Sequence, residues 1–555
     1  MSRTLYLQLL LIISILTVSL SCKKNSGGMI PVTDTSLSFT VNDVYNGSLN
    51  YTGLGSKPVI KINLTEPVNS NSLSGAIKLT GPSATPIAFT ATLQNGDKTI
   101  LIVPQADLST FTAYTLSVSA GLLSSSGGKL VNPVSINLTT GFSDTDKFPR
   151  ITDDELLTLV QKQTFKYFYD FGHPVSGMAR ERNTSGNTVT SGGSGFGLMA
   201  LVVGVERNFV NRADGLARVQ KIVDFLKNKA VRFHGAYSHW IDGNTGAVIP
   251  FSSNDDGGDL VETSFLMEGL ITARQYFNSN TTAESTLRND ITSIYNGVEW
   301  DWYRKNNSNT LYWHWSPNFN FDKNVQLRGW NEALVTYVLA ASSPTHSIPK
   351  SVYDAGWANN GGMKNGSTFY GVQLPLGPAN GGPLFFEHYS FLGINPIGLS
   401  DVYANYETQA KAHTLINYNY CVANPLKYYG YGENCWGLTA SDIPSGYTAS
   451  SPSNDVGVIA PTAALSSFPY MPTESMKALK FFYYKIGDKL WGEYGFYDAF
   501  SPNQNWFASS TLAIDQGPII IMIENYRTQL LWKLFMSAPE VKTGMRNLGF
   551  NSPAL

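Results

Sequence analysis

The hydrophobic period of the chain changes near residue 150. Before that point apolar and polar residues alternate in short runs: Leu37–Val41, Val59–Leu64, Ala88–Leu93, Thr99–Val103, Tyr114–Val118 and Val134–Leu138. Alternation with period two puts every second side chain on one face of a strand. Gly, Pro, Asn and Asp separate the runs, so an all-β sandwich is expected over residues 32–142. Residues 143–150 (SDTDKFPR) form a polar linker. Past them the period becomes helical. In ITDDELLTLVQKQTFKYFYDF, Thr152 is placed to cap a helix with acids in its first turn, and Leu156, Leu157, Val160, Phe165, Phe168 and Tyr169 recur at helical spacing. The same spacing predicts helices over 194–208, 214–230, 259–277, 284–304, 331–341, 401–415, 473–488 and 518–536. Long loops rich in Gly, Asn and aromatic residues lie between them. A solenoid would show a repeat of about 30–45 residues, and none is visible. Antiparallel helical hairpins packed in a ring, an (α/α) toroid, are therefore expected over 151–550.

The first residues follow a different logic. Arg3 precedes an apolar run from Leu5 to Leu20, and Ser21-Cys22 closes it. That run is short for a membrane span, and it ends at a small residue, so 1–21 read as an export signal. A cysteine at the cleavage point resembles a bacterial lipobox, although Ser19 stands three residues before Cys22 where Leu is usual. Lipidation at Cys22 would leave 22–31 (CKKNSGGMIP) as a tether. The expected location is the outer membrane. Lys23-Lys24, with no acidic run nearby, points to its periplasmic face rather than the cell surface. No later run reaches the ~18 apolar residues of a spanning helix. Cys421 and Cys435 either pair in an oxidising compartment or stay as two buried thiols; spacing leaves both open.

Composition narrows the partners. Charged residues make up 14% of the chain, aromatics 12%, and 39 basic residues stand against 41 acidic ones. No basic stripe offers a footprint for nucleic acid. The same balance gives no positive field to draw an acidic polysaccharide into a lyase site. Metal and phosphate motifs are missing too: there is no HExxH, CxxC pair, GxSxG elbow or phosphate loop. The SGGSGFG stretch at 191–197 lacks the following Lys-Ser/Thr and reads as a tight helix entry. No metal or organic cofactor is expected, and the chain is expected to act as a monomer.

Two places concentrate chemistry. Within NDDGGDLVE lie four carboxylates, Asp255, Asp256, Asp259 and Glu262, and the last two are three apart on the face of an incipient helix. A helix N-terminus favours carboxylates, but four exceed what capping requires. In GWNEALV, Glu332 follows Trp330 and Asn331 and opens an apolar run. A carboxyl held in an apolar setting keeps its proton to higher pH, as a general acid for glycosidic cleavage must. Around these acids are aromatic and polar loops: His239 and Trp240; Trp313, His314 and Trp315; His388 and Tyr389; Glu433, Trp436 and Asp442; Trp506 and Asp515. Flat aromatic faces suit the C–H faces of sugar rings, and the polar groups suit hydroxyls. A glycan-binding protein without turnover would share the aromatic loops, but has no need of the clustered acids.

Several stretches together resemble one family. VTSGGSGFGLMALVVGVERNFVNR, SHWIDGNTGAVIPFS, DDGGDLVETSFL, LYWHWSP, GWNEALVTYVLAASSPTH, HYSFLGINP, GENCWGLTASD and AIDQGPIIIMIENYRTQLLW, in this order, look like the glycoamylase-like family, which includes bacterial endo-β-1,2-glucanases. The resemblance runs from about 150 to 550. NGDKTILIVP and its continuation resemble bacterial Ig-like modules. The family resemblance implies an (α/α)6 barrel and hydrolysis of β-1,2-glucan with inversion, releasing sophorose and short oligosaccharides. It further implies Asp255, Asp259 and Glu262 as essential acids and Glu332 as the general acid, with Asp259 favoured as the partner carboxylate and Asp515 as a reserve for the base.

Overall fold

The computed structural model describes residues 31–555 and divides them into two compact units. Cys22 and the export segment lie outside the described residues.

The first unit is a two-sheet sandwich. Its strands are β1 (Leu37–Val41), β2 (Asn50–Leu54), β3 (Ile60–Leu64), β4 (Ile77–Thr80), β5 (Phe89–Gln94), β6 (Thr99–Pro104), β7 (Ala113–Val118) and β8 (Val134–Thr140). One sheet has the order β1-β3-β6-β5 and the other β2-β8-β7-β4. Alternation explains the core. Ile60, Ile62, Ile100, Ile102, Leu116, Ile136 and Leu138 point inward and are buried, while their neighbours in the strands are more exposed. Strands β2 and β4 lie outside the six alternating runs. β2 carries one buried residue, Tyr51, and β4 is only four residues long, so neither leaves a clear period-two trace.

The second unit contains eleven helices of eight or more residues: α1 (Asp153–Tyr169), α2 (Ser191–Glu206), α3 (Arg212–Asn228), α4 (Leu260–Tyr276), α5 (Thr282–Asn296), α6 (Leu334–Ser342), α7 (Tyr406–Ala423), α8 (Pro472–Lys480), α9 (Ala513–Thr528), α10 (Leu530–Ser537) and α11 (Pro539–Leu548). They fall into two kinds. α1, α3, α5, α7 and α8 are buried on one side and exposed on the other. α2, α4, α6 and α9 are buried over nearly their whole length. A helix apolar all round has to be enclosed by others. Half-exposed and enclosed segments alternate along the chain: α1/α2, α3/α4, α5/α6, the short turn at 350–357 with the buried stretch 387–394, α7 with buried 461–468, and α8/α9. Six outer–inner pairs make an (α/α)6 barrel, in which α2 packs on both α4 and α9.

Small residues permit that packing. A Cβ at Gly195 would collide with the Phe265 carbonyl of α4, so the SGGSGFG stretch lets two helices approach closely. Thr152 caps α1 by accepting from the Glu155 N–H, and the Glu155 carboxylate reaches back to the Thr152 N–H, a reciprocal capping box.

Several expected boundaries move. The 518–536 helix is two helices, because Gln529 takes a left-handed φ of 59° between α9 and α10. The 284–304 helix ends at Asn296, and α6 begins at Leu334, so Glu332 sits in the turn before it rather than in its first turn. Cys421 and Cys435 are buried free thiols in one apolar cluster. Among the described residues, no helix is long and apolar enough to cross a membrane.

Candidate active site

A cavity of about 460 Å³ opens among the inner helices. Its walls include Glu262, Glu332, His239, Trp240, Trp313 and Tyr389.

One wall is the N-terminus of α4. Asp259 is its N-cap, and its Oδ1 accepts from the Glu262 N–H at 2.9 Å. Its Oδ2 accepts from Trp313 Nε1 at 3.1 Å and lies 3.1 Å from His239 Nδ1. Trp313 reaches it because Gly258-Asp259 pairs antiparallel with His314-Trp315. Glu262, one turn on, accepts from the Gly192 N–H at 2.9 Å and from the Thr190 hydroxyl at 3.2 Å. A Cβ at Gly192 would run into the Glu262 carboxyl, so glycine is what lets the start of α2 come this close. Burial raises the Glu262 pKa and the Asp259 charge adds to the rise, while His239 opposes it. Burial pulls His239 the other way, but Glu262 and Asp259 override it and hold the imidazole up to about 9. His239 is thus the cation that makes this acidic wall tolerable, and its ring stacks on Phe251 with centroids 4.0 Å apart.

Asp255 belongs to the same wall but meets another histidine, with Oδ1 3.1 Å from His314 Nε2. Burial raises the Asp255 pKa and lowers that of His314. Asp256 turns away and accepts from Ser316 Oγ and Asn318 Nδ2, tying down the 316–319 turn.

Glu332 lines the cavity from the turn before α6. The Ser390 hydroxyl holds this turn by donating to the Glu332 carbonyl. Burial is the chief reason its carboxyl is pushed up to about 7, and the Glu262 and Asp259 charges add to it. A carboxyl so placed is shared between its protonated and charged forms near neutral pH, beside the Asp259 and Glu262 side chains. Trp330 plays no direct part in the cavity: it is packed in the core against Trp357, Phe391 and Tyr406.

On the opposite wall the sequence singles out Asp442 and Asp515 but not Arg182 or Asp498. Arg182 binds Asp442 at 3.1 Å and its neighbour Glu181 at 2.9 Å. Behind them lie Asp498, whose Oδ2 accepts from the Asp442 N–H at 2.6 Å, and Asp515, neither of whose oxygens meets a donor from another residue type. Burial raises both carboxyls well above the usual range; the Asp498 charge adds to the rise at Asp515, and at Asp498 the Asp442 charge does while its hydrogen bond with Asp515 opposes it, so this pair retains a proton. Tyr447, from the hairpin Ala440–Ala449, lines the cavity on this side. The signal for this wall was the Glu181-Arg182 pair in a chain poor in charge. Asp498, carried by a loop between two-residue strands, left no trace.

Other aromatic candidates fall elsewhere. His388 is buried beside Ser467 Oγ at 3.1 Å, and burial drops it to about 3, which makes it a neutral core histidine. Trp436 is wholly buried, donating from Nε1 to the Glu474 carbonyl. Trp506 lines a neighbouring groove that shares Arg182 and Tyr447 with the cavity. Trp315 faces a further groove with Trp302 and Phe319. Among the described residues, no group of three or more His, Cys, Asp or Glu is arranged to hold a metal ion.

A solved endo-β-1,2-glucanase from Chitinophaga pinensis, in complex with sophorotriose and glucose, is 51% identical, with a TM-score of 0.72 over 73% of this chain and 100% of that one. The chain belongs to the glycoamylase-like family. The glycoamylase family model matches residues 324–539, and a bacterial Ig-like model matches 28–140. A β-1,2-glucanase from Parabacteroides distasonis is 38% identical, with a TM-score of 0.70 over 90% of this chain and 72% of that one. An exo β-1,2-glucooligosaccharide sophorohydrolase from the same species is 47% identical over 420 residues; the match covers 72% of this chain, which spans 58% of that relative's length. An endo-β-1,2-glucanase from Talaromyces funiculosus, at 9% identity, shares the barrel with a TM-score of 0.53 over 72% of this chain and 91% of that one.

Proposed function

We propose that the barrel hydrolyses β-1,2-glucan, releasing sophorose and short oligosaccharides with inversion at the anomeric carbon. The observation that carries this reading is Glu332: a carboxyl facing the cavity, held up to about 7, beside the Glu262 wall. Such a group still holds a proton in a large fraction of molecules near neutral pH and can readily give it up, the property that a glycosidic leaving oxygen requires. The family relatives named above act on β-1,2-linked glucose, which supports this substrate over other glucans.

Glu332 donates its proton to the leaving oxygen. On the carboxylate wall the labour divides. Asp259 is fully engaged as helix cap and as acceptor from Trp313, which suits positioning more than attack. Glu262 lines the cavity, and His239 compensates its charge, so it is the member of the cluster best placed to orient water or face the oxocarbenium-like centre. Asp255 sets the His314 side of the same wall. Asp515, buried and without a donor of another residue type, is the competing base. Trp240, Trp313 and Tyr389 offer ring faces to the sugar, and His239 hydrogen-bonding groups. Attachment through a lipidated Cys22 would hold the enzyme at the outer membrane, on its periplasmic face.

Incubation of purified protein with linear β-1,2-glucan, β-1,3-glucan and starch tests the reading. Sophorose and short oligosaccharides should appear from the first alone, initially as the α-anomer. Absence of sugar release from all three would refute hydrolysis, and binding without release would mark a glycan-capture protein.

A further inference from the structure

A groove of about 790 Å³ lies beside the cavity but is separate from it, lined by Trp302, Trp315, Phe319, Asn306, Asn307 and Asn320, among others. The short strand His314-Trp315 divides the two: Trp313 lines the cavity and Trp315 the groove. Trp302 is 43% exposed, and so is Phe319. His234 stacks on Trp302 with centroids 3.7 Å apart and planes 15° from parallel. Trp315 meets that histidine edge-on, at 4.7 Å. One face of the Trp302 indole is therefore covered and the ring is held in place, leaving its other face for solvent. A fixed, exposed aromatic plane is a binding element whose ordering cost has already been met by the fold.

The polar lining is selective in what it leaves free. Each charged side chain of the groove already has a partner. Asp301 lies 3.0 Å from His346, Asp322 accepts from Asn254 at 2.7 Å, and Lys305 donates to Asn324 at 2.5 Å while sitting over the Tyr312 ring. The side-chain amides of Asn306, Asn307 and Asn320 are exposed and have no protein partner among the described residues. Unspent indole and phenyl faces with unspent amides, and charged groups already engaged in hydrogen bonds, suit a neutral polyhydroxylated chain. They do not suit a phosphate or an acidic glycan, because Asp301 and Asp322 outnumber Lys305 in the lining.

We propose that this groove is a second binding site for neutral glucan, holding a polymer strand beside the cavity in which another stretch is cut. This rests on the hydrolase reading only for the identity of the polymer. The site should matter for long chains and not for oligosaccharides that fill the cavity alone.

The test compares the full chain with Trp302→Ala and Phe319→Ala, both at solvent-facing positions, on β-1,2-glucan polymer and on a short β-1,2-oligosaccharide. Retention is followed in native gels containing the polymer. For Trp302→Ala, gel retention should weaken and KM for polymer should rise by about tenfold, as when an anchoring aromatic is truncated. Phe319→Ala should show a smaller loss and Trp302→Phe a partial recovery, with kcat on the oligosaccharide unchanged throughout. Unchanged retention and polymer KM in Trp302→Ala and Phe319→Ala, with the wild type cleaving normally, would overturn the groove proposal and leave the hydrolase reading intact. Trp302-dependent retention in a wild type that cleaves nothing would support the groove and overturn the hydrolase.

Discussion

The two walls of the cavity use the same residue type and reach different charge states. On the α4 side, Asp259 and Glu262 surround His239, and the imidazole takes up the proton, with its pKa raised to about 9. On the far side, Arg182 is paired with Asp442 and Glu181, and the deeper Asp498 and Asp515 have no cation within hydrogen-bonding reach. They keep a proton instead, because two buried carboxylates side by side cannot both ionise. The lesson is that a count of acids does not locate the catalytic carboxyl; the presence or absence of a cation beside each one sets its charge. Glu332 stands between these cases. It has no partner cation, and its burial and the neighbouring anions leave it partly protonated near neutrality.

The contrast can be broken by substitution. The largest effect is expected at Glu332→Gln, which should lower kcat on β-1,2-glucan by about 10²–10⁴-fold with unfolding behaviour retained, the range of general acid catalysis. Next, Glu262→Gln should cost on the order of 10²-fold in kcat, and Asp515→Asn clearly less. The reverse order in single-turnover rates would move the base to the far wall. Arg182→Met should leave Asp442 partly buried without its partner and lower stability in urea by about 1–3 kcal/mol.

The smallest effect concerns pH and stability. His239 has a folded pKa above its unfolded value, so the stability it contributes is fully present below about 6.5 and is lost as pH rises through about 9. The stability difference between wild type and His239→Gln should therefore shrink over that window. A difference constant from pH 6 to 10 would remove His239 as the compensating cation.

How much of this was legible in the sequence depended on how local the signal was. Helical period marked α1, α3 and α4 well and the start of α5, because each is fixed by residues within a turn or two of one another. The α4 wall was legible for the same reason, since Asp255, Asp259 and Glu262 fall within eight residues. The far wall was legible only in pieces: Asp442 and Asp515 stood out singly, Arg182 and Asp498 did not, and the four meet only through the barrel's closure. Aromatic residues misled most. Trp330, Trp436 and His388 sit in loops of the same composition as Trp313 and Tyr389, yet they are core residues. Composition cannot separate a ring that fills the interior from one that faces a cavity, because both are buried apolar surface next to a polar group.

The central claim is that Glu332 is the acid whose proton is given to the sugar, and the pH dependence of kcat/KM on a neutral glucan tests it most directly. Because the substrate does not titrate, the alkaline limb reports the enzyme. The account predicts a one-proton fall in the wild type with a midpoint at about 7, and no such limb in the residual activity of Glu332→Gln. Activity that stays level from pH 6 to 9, or an unchanged alkaline limb in Glu332→Gln, would contradict it.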